Sequence, residues 1–179
     1  EGNWAYNLDP KNEQIQALGQ GEQTEDTITV FSADGTEQQI IVTITGTNDS
    51  PVVGTVQLSP LAEDTSRLIT SAQLLAASRD VDGSDTLQVS DLAVDERYGN
   101  LHDNGDGTWT FIPSHDLNAD DIPFSFTVSD GHTSVAGSAT LDLVAVADAP
   151  TLVAEAASGK EDTALALHTR TALTDLDGS

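Results

Sequence analysis

The sequence predicts an all-β chain organised as tandem β-sandwich modules. Two observations carry this expectation. Apolar residues alternate with polar ones at period two along most of the chain, and a set of short motifs returns at a spacing of about 100 residues. Gly, Asn and Asp between the alternating runs mark where strands end.

The alternation runs as follows. Ile40, Val42 and Ile44 share one face, against Ile41, Thr43 and Thr45 on the other. Trp109 and Phe111 alternate with Thr108, Thr110 and Ile112; Phe124, Phe126 and Val128 with Ser125, Thr127 and Ser129; Leu141 and Leu143 with Asp142 and Val144. Successive strand side chains point to opposite faces, so each run is a strand with one face buried, and the threonine-rich outer faces fit antiparallel sheets. Residues 71–77 (SAQLLAA) read instead as a short helical turn. Asp103-Asn104-Gly105-Asp106-Gly107 reads as a hairpin connection, because it lacks the twelve-residue spacing and terminal Glu of an EF-hand. Ser129-Asp130-Gly131 and Ala33-Asp34-Gly35 read as tight turns of the same kind.

The repeats set the domain organisation. Asn48-Asp49-Ser50-Pro51 returns as Ala147-Asp148-Ala149-Pro150, Glu63-Asp64-Thr65 as Glu161-Asp162-Thr163, and Asp80-Val81-Asp82-Gly83-Ser84 as Asp175-Leu176-Asp177-Gly178-Ser179. Trp109 with Phe111 echoes Trp4 with Tyr6. The phasing predicts the second half of one module over residues 1–49, a complete module over 50–149 and the first part of a third over 150–179. On this phasing we expect an internal stretch of a longer protein.

Composition bounds the partners. Six basic residues face 30 acidic ones, for a net charge of −24 over 179 residues. Such a surface repels itself unless cations bind, and it repels nucleic acid and anionic membranes. A salt-adapted surface is a second source of the charge, accounting for its total but not for where the carboxylates sit. Cysteine is absent, which excludes disulfides, thiolate metal sites and thiol nucleophiles, and no apolar run is long enough to cross a bilayer.

At these motifs the chain acquires a specific likeness. The NDxP linker, the EDT triplet, the D-x-D-G-S-D run and the strand ending in SDG resemble the cadherin-like repeats of bacterial RTX-type adhesins. The leading unit resembles the related VCBS repeat in Trp4-Ala5-Tyr6, Ala17-Leu18-Gly19-Gln20-Gly21-Glu22, Ala33-Asp34-Gly35-Thr36 and residues 42–49. The resemblance implies Greek-key, cadherin-like (immunoglobulin-like) β-sandwiches of about seven strands, strung end to end and rigidified by Ca²⁺ at the junctions. It also implies a long exported protein on the bacterial cell surface, serving attachment and biofilm formation, with neighbouring repeats and calcium ions as this segment's partners and any host or surface ligand bound elsewhere in the parent.

Calcium wants six to eight oxygen ligands, which Asp, Glu, Asn and backbone carbonyls supply. Strand ends alternate between the two poles of a sandwich, and this sorts the carboxylates. The first junction is expected to use Asn48 and Asp49 with Asp80, Asp82 and Asp130, with Asp85 nearby and Asp9 as a candidate from the leading unit. The second is expected to use Glu63, Asp64 and Asp116 with Asp148, Asp175 and Asp177, and Asp120 and Asp121 fall at the same pole. Ala147 replaces the Asn of the first linker, which removes a side-chain oxygen donor and predicts a weaker second site. The plainer reading of any single Asp is a solvated turn residue; recurrence at both linkers and both DxDGS runs favours calcium.

Catalysis is not expected. The four histidines are scattered without HExxH spacing, and neither GxSxG nor a phosphate-binding glycine loop occurs. Two roles remain open: a structural extender that projects an adhesive tip, which is favoured, and a module that itself binds glycan or protein.

Overall fold

The computed structural model of the chain describes residues 5–115, 117 and 119–146. Among the described residues the predicted β-fold is present and helix is confined to short turns.

The leading unit opens with one helical turn, α1 (Glu13–Gln16), whose N-cap Asn12 accepts from the Gln14 N–H. A long hairpin follows, β1 (Gln23–Phe31) paired antiparallel with β2 (Glu37–Thr45) in unbroken register from Gln23↔Thr45 to Phe31↔Glu37. The expected Asp-Gly turn closes it: Gly35 takes a positive φ of 87°, and Asp34 Oδ1 accepts the Thr36 N–H at 3.1 Å. Ile40, Val42 and Ile44 are half-buried and their neighbours exposed, as the alternation requires.

Residues 52–144 form the sandwich. The strands are β3 (Val52–Val53), β4 (Thr55–Gln57), β5 (Leu61–Ala62), β6 (Arg67–Thr70), β7 (Ser78–Arg79), β8 (Gln88–Val94), β9 (Gly99–Asp103), β10 (Thr108–Pro113), β11 (Ile122–Ser129), β12 (Ser134–Leu141) and β13 (Leu143–Val144). One sheet has the order β6-β10-β9 and the other β4-β12-β11-β8, with β3-β7 and β5-β13 as short flanking pairs. Those two sheets supply seven strands, the number the resemblance implies. The predicted helical turn is α2 (Ser71–Leu74), continued by a 3-10 turn over Leu75–Ala77. Thr70 and Gln73 form a capping box there, so the local sequence secures both orphan N–H groups.

The core lies between the sheets, where the period-two residues meet. Phe111 of β10 and Phe124 of β11 touch edge to face with ring centroids 5.2 Å apart, a favoured aromatic geometry. Ile69, Trp109, Phe126, Val128, Ala139 and Leu141 complete the layer, each almost wholly buried. The 103–107 run is the hairpin connection between β9 and β10, with Gly105 and Gly107 at positive φ. Among the described residues no helix is long and apolar enough to cross a membrane.

The edges of the sandwich are closed by parallel pairing: Thr55, Val56 and Gln57 face Ser138, Ala139 and Thr140, and Leu61 and Ala62 face Leu143 and Val144. The first and last strands of the module therefore run the same way. The chain enters at one pole, beside the 48–51 linker, and leaves at the other.

Candidate metal centre

The near pole is built from three loops. The Asp80-to-Asp85 loop leaves β7 and is wound on itself: Asp80 Oδ1 accepts the Asp82 N–H at 3.1 Å, and the Asp85 N–H donates to the Asp82 carbonyl at 3.2 Å. This winding gathers one carboxylate oxygen from each of Asp80, Asp82 and Asp85 within 4.8 Å of one another. Asp82 is only 2 % exposed.

The linker is tied to this loop and to the β11–β12 turn. The Asp49 N–H donates to Asp82 Oδ2 at 2.8 Å, and Asn48 Nδ2 donates to Asp130 Oδ2 at 3.1 Å and to the Asp49 carbonyl at 2.9 Å. Asp130 also accepts the N–H groups of His132 and Thr133 and the Thr133 hydroxyl. Burial works against its charge, but those hydrogen bonds and the one from Asn48 outweigh burial and hold its carboxyl well below the usual range. Asp130 is thus satisfied by its own turn and acts on the pole by fixing Asn48. With both amide hydrogens of Asn48 occupied, its Oδ1 is left buried without a hydrogen-bond partner.

The leading unit reaches the same pole. Its Ala17 carbonyl accepts the Gly83 N–H at 3.0 Å, and Gln20 Oε1 accepts the Asn48 N–H at 3.0 Å. Glu22 Oε2 accepts the Gly19 N–H at 2.9 Å. A Cβ on Gly19 would sit 2.6 Å from Ser84 Oγ, 3.5 Å from Asp85 Oδ1 and 3.7 Å from that same Glu22 oxygen. Glycine is what lets the two loops approach, and Glu22 and Asp85 each place an oxygen within 4 Å of where that Cβ would be.

Four buried oxygens at this pole have no hydrogen-bond partner among the described residues: Asn48 Oδ1, Asp80 Oδ2, Asp82 Oδ1 and Asp85 Oδ2. A buried acceptor without a donor costs roughly 1–3 kcal/mol, and more when charged. The one ion pair among the described residues, Arg97 with Asp95, involves none of them. Burial raises the Asp82 pKa, and the charges of Asp49, Asp80 and Asp85 add to the rise, against the lowering effect of the Asp49 N–H. Three carboxylate oxygens and an amide oxygen, all hard and without donors, fit a divalent cation with an all-oxygen preference.

The far pole is built around Glu63, which is 2 % exposed. Its N–H donates to the Val144 carbonyl at 3.0 Å, and its Oε1 accepts the Val146 N–H at 2.7 Å, so the strand leaving the module is fastened to it. Asp64 is exposed with φ 60°. The Asp121 N–H donates to Asp142 Oδ1 at 2.9 Å, which holds the 119–121 loop against the start of β13.

Residues 47–144 match the family described as cadherin-like domain. This chain belongs to that family. The match covers the whole sandwich and begins one residue before the Asn48-Asp49 linker. Among solved structures the chain is similar to the endo-fucoidan hydrolase MfFcnA4 from glycoside hydrolase family 107, at 14% identity and TM-score 0.39, covering 74% of this chain and 20% of that one. It is similar to MfFcnA9 of the same family at 16% identity and TM-score 0.35, covering 69% and 22%. It is also similar to the human desmocollin-1 ectodomain at 12% identity and TM-score 0.32, covering 68% and 26%. The chain spans about a fifth to a quarter of the length of these proteins. No curated protein matches it.

In this cadherin-like module the structure brings Asn48, Asp49, Asp80, Asp82, Asp85 and Asp130 to one pole and sets Glu63 and Asp64 at the other. Asp116, Asp148, Asp175 and Asp177 lie outside the described residues. Asp9 is not among the three gathered carboxylates; its Oδ1 accepts the Lys11 N–H in the turn before α1. The carboxylate that the leading unit does bring to the pole is Glu22. Its signal was the ALGQGE stretch, where a Gly-x-Gly run ending in an acid allows a close backbone approach with a ligand at its end.

Proposed function

We propose that this chain is a stretch of calcium-rigidified extender repeats from a large bacterial cell-surface adhesin of the RTX type. On this reading it is a non-enzymatic spacer that projects an adhesive tip from the cell. Residues 1–49 are then the second half of a VCBS-like repeat, 50–149 a complete cadherin-like repeat and 150–179 the start of another. Neighbouring repeats and Ca²⁺ are its partners, and its setting is extracellular.

The observation that carries the reading is the set of four buried, unpartnered oxygens at the near pole, where the leading unit, the linker and the following module all converge. A cation there cancels the repulsion among Asp80, Asp82 and Asp85. With Glu22 in its shell it would also tie two modules to one ion. The direct hydrogen bonds from Gly83 to Ala17 and from Asn48 to Gln20 set the modules' relative placement, and the ion would hold them there against the charge that drives them apart. Extracellular modules bind calcium in the range of ~10⁻⁴–10⁻³ M, so such a joint is loose where calcium is scarce and stiff outside the cell.

Thermal melting of the chain in EDTA, Mg²⁺ and Ca²⁺ tests this. A ligand held only by the folded state adds about 2.7 kcal/mol at 100 times its dissociation constant, so Ca²⁺ raises the midpoint by several degrees. Mg²⁺ demands a small octahedral site and does far less. Replacing Asp80 and Asp82 together by Asn removes the gain and leaves the β-sheet circular dichroism intact. Equal midpoints in all three conditions would sink the calcium reading.

A further inference from the structure

A second site lies between the two edge strands β4 and β6, away from the acidic loops. Arg67, the first residue of β6, lines a groove of about 180 Å³ with Val56 and Leu58 on its apolar side and Gln73 at its rim. Arg67 is half-buried, and burial lowers its pKa. The chain carries 30 acidic residues, yet no described carboxylate lies within ion-pair distance of this guanidinium. Its one hydrogen bond to a described residue runs from Nη1 to the Ser59 carbonyl, and its Nε is buried with no acceptor. The contrast is Arg97, exposed on the surface, which pairs with Asp95 and stacks on the Tyr98 ring.

Gln73 Oε1 is occupied by the Thr70 N–H, which leaves its amide N–H₂ as a donor at the groove. Gln57 on the same wall is engaged at both ends, its Oε1 accepting the Thr140 hydroxyl and its Nε2 donating to Asp142 Oδ2 at 3.3 Å. The donors left at the groove are those of Gln73 and of the guanidinium, beside apolar walls. The guanidinium's remaining Nη hydrogens and the Gln73 amide line one groove and can both donate to a carboxylate, a bond that desolvation by Val56 and Leu58 strengthens.

We propose that this groove binds the carboxylate of a small organic acid of single-sugar size, the class to which uronates belong. The volume is below the ~300–1,000 Å³ of pockets that enclose drug-sized ligands, which restricts the occupant to one ring or a short chain. The acidic poles do not forbid an anion here, since exposed charges are screened beyond about 8 Å at physiological salt. This site is independent of the metal centre and stands or falls separately from it.

The test is a titration of the full chain in Ca²⁺ and physiological salt, followed by ¹⁵N NMR at the Arg67 Nε–H, the Gln73 side-chain amide and the Leu58 and Ser59 amides. Glucuronate is expected to shift these signals saturably in the millimolar range, and glucose at the same concentrations to leave them in place. Arg67→Gln should abolish the shifts. Gln73→Glu keeps the carbonyl oxygen that caps α2 but replaces the free amide by a carboxylate for Arg67, so it should weaken glucuronate at least tenfold with an unchanged melting curve. Non-saturating shifts, equal shifts with glucose, or full binding by a folded Gln73→Glu variant would each overturn the proposal.

Discussion

The molecule holds two long antiparallel hairpins, β1–β2 and β11–β12, and their burial differs sharply. In β11–β12 every second residue from Ile122 to Val128 is buried, and Ala139 and Leu141 on the partner strand are fully enclosed. In β1–β2 one residue of β1, Ile28, is even half-buried, and Phe31 is 68 % exposed. Both have regular register and both close on an Asp-Gly turn. The difference lies in the neighbours. β8 flanks β11, β4 flanks β12 and the β10 sheet covers them, while among the described residues β1 and β2 pair only with each other. A hairpin of this kind has the same local grammar whether or not a core covers it, and the second sheet supplies the stability.

Substitutions in the two hairpins sharpen that contrast. The largest effect is expected from Phe124→Ala, which empties a site 2 % exposed against Phe111 and should cost about 3–5 kcal/mol in denaturant unfolding. Phe31→Ala, its counterpart on the open hairpin, should stay within about 0.5 kcal/mol. A cost for Phe31 comparable to that for Phe124 would mean the leading hairpin has a core of its own. Next comes Gly137→Ala. Its new Cβ would lie 2.4 Å from the Phe126 ring that crosses over it, an overpacking worth about 1–3 kcal/mol. Gln38→Ala on exposed β2 should again change little.

The smallest effect distinguishes the turns. The Ser32 hydroxyl, then the Thr36 N–H, lower the Asp34 pKa to about 2 from an ordinary 3.8. A depressed carboxyl stabilises the fold above the unfolded pKa and loses that contribution as pH falls through the folded one. Carboxyl ¹³C NMR should therefore show Asp34 titrating near 2, with the β1–β2 turn loosening between about pH 4 and pH 2. A midpoint at the ordinary value would mean the turn is not closed in solution.

β2, β10 and β11 were legible because each runs through four or more residues of strict alternation, enough to show which face is buried. β8 was not, since a register shift against β11 breaks its period, and the run read over 141–144 divides at Asp142 between β12 and β13. The helical turn was legible from SAQLLAA, and Thr70 and Gln73 completed it by hydrogen bonds within the segment. The parallel seams β4–β12 and β5–β13 were not legible, since two or three residues cannot display a period and parallel partners lie far apart in sequence. The gathering of Asn48, Asp49 and the Asp80 loop followed from counting strand ends. Glu22 did not follow, because its carboxylate is placed by a fold-back in which the Gly46 N–H meets the Glu22 carbonyl. Nor could spacing reveal that Asp130 spends its oxygens on its own turn and on Asn48.

The parallel seams also decide how the module answers a pull. Tension applied between the two linkers drags β4 toward one pole and β12 toward the other, along their shared length. The ladder pairs from Thr55↔Ser138 to Val144↔Ala62, with the added bonds from Leu58 to Thr140 and from Leu61 to Asp142, are then loaded side by side and must yield together. The β1–β2 hairpin is loaded differently, since Gln23 and Thr45 lie at the same end and its bonds open one after another. Opening bonds one after another takes less force than shearing them together, so the parallel seams are the stiffer of the two pairings along the direction of pull.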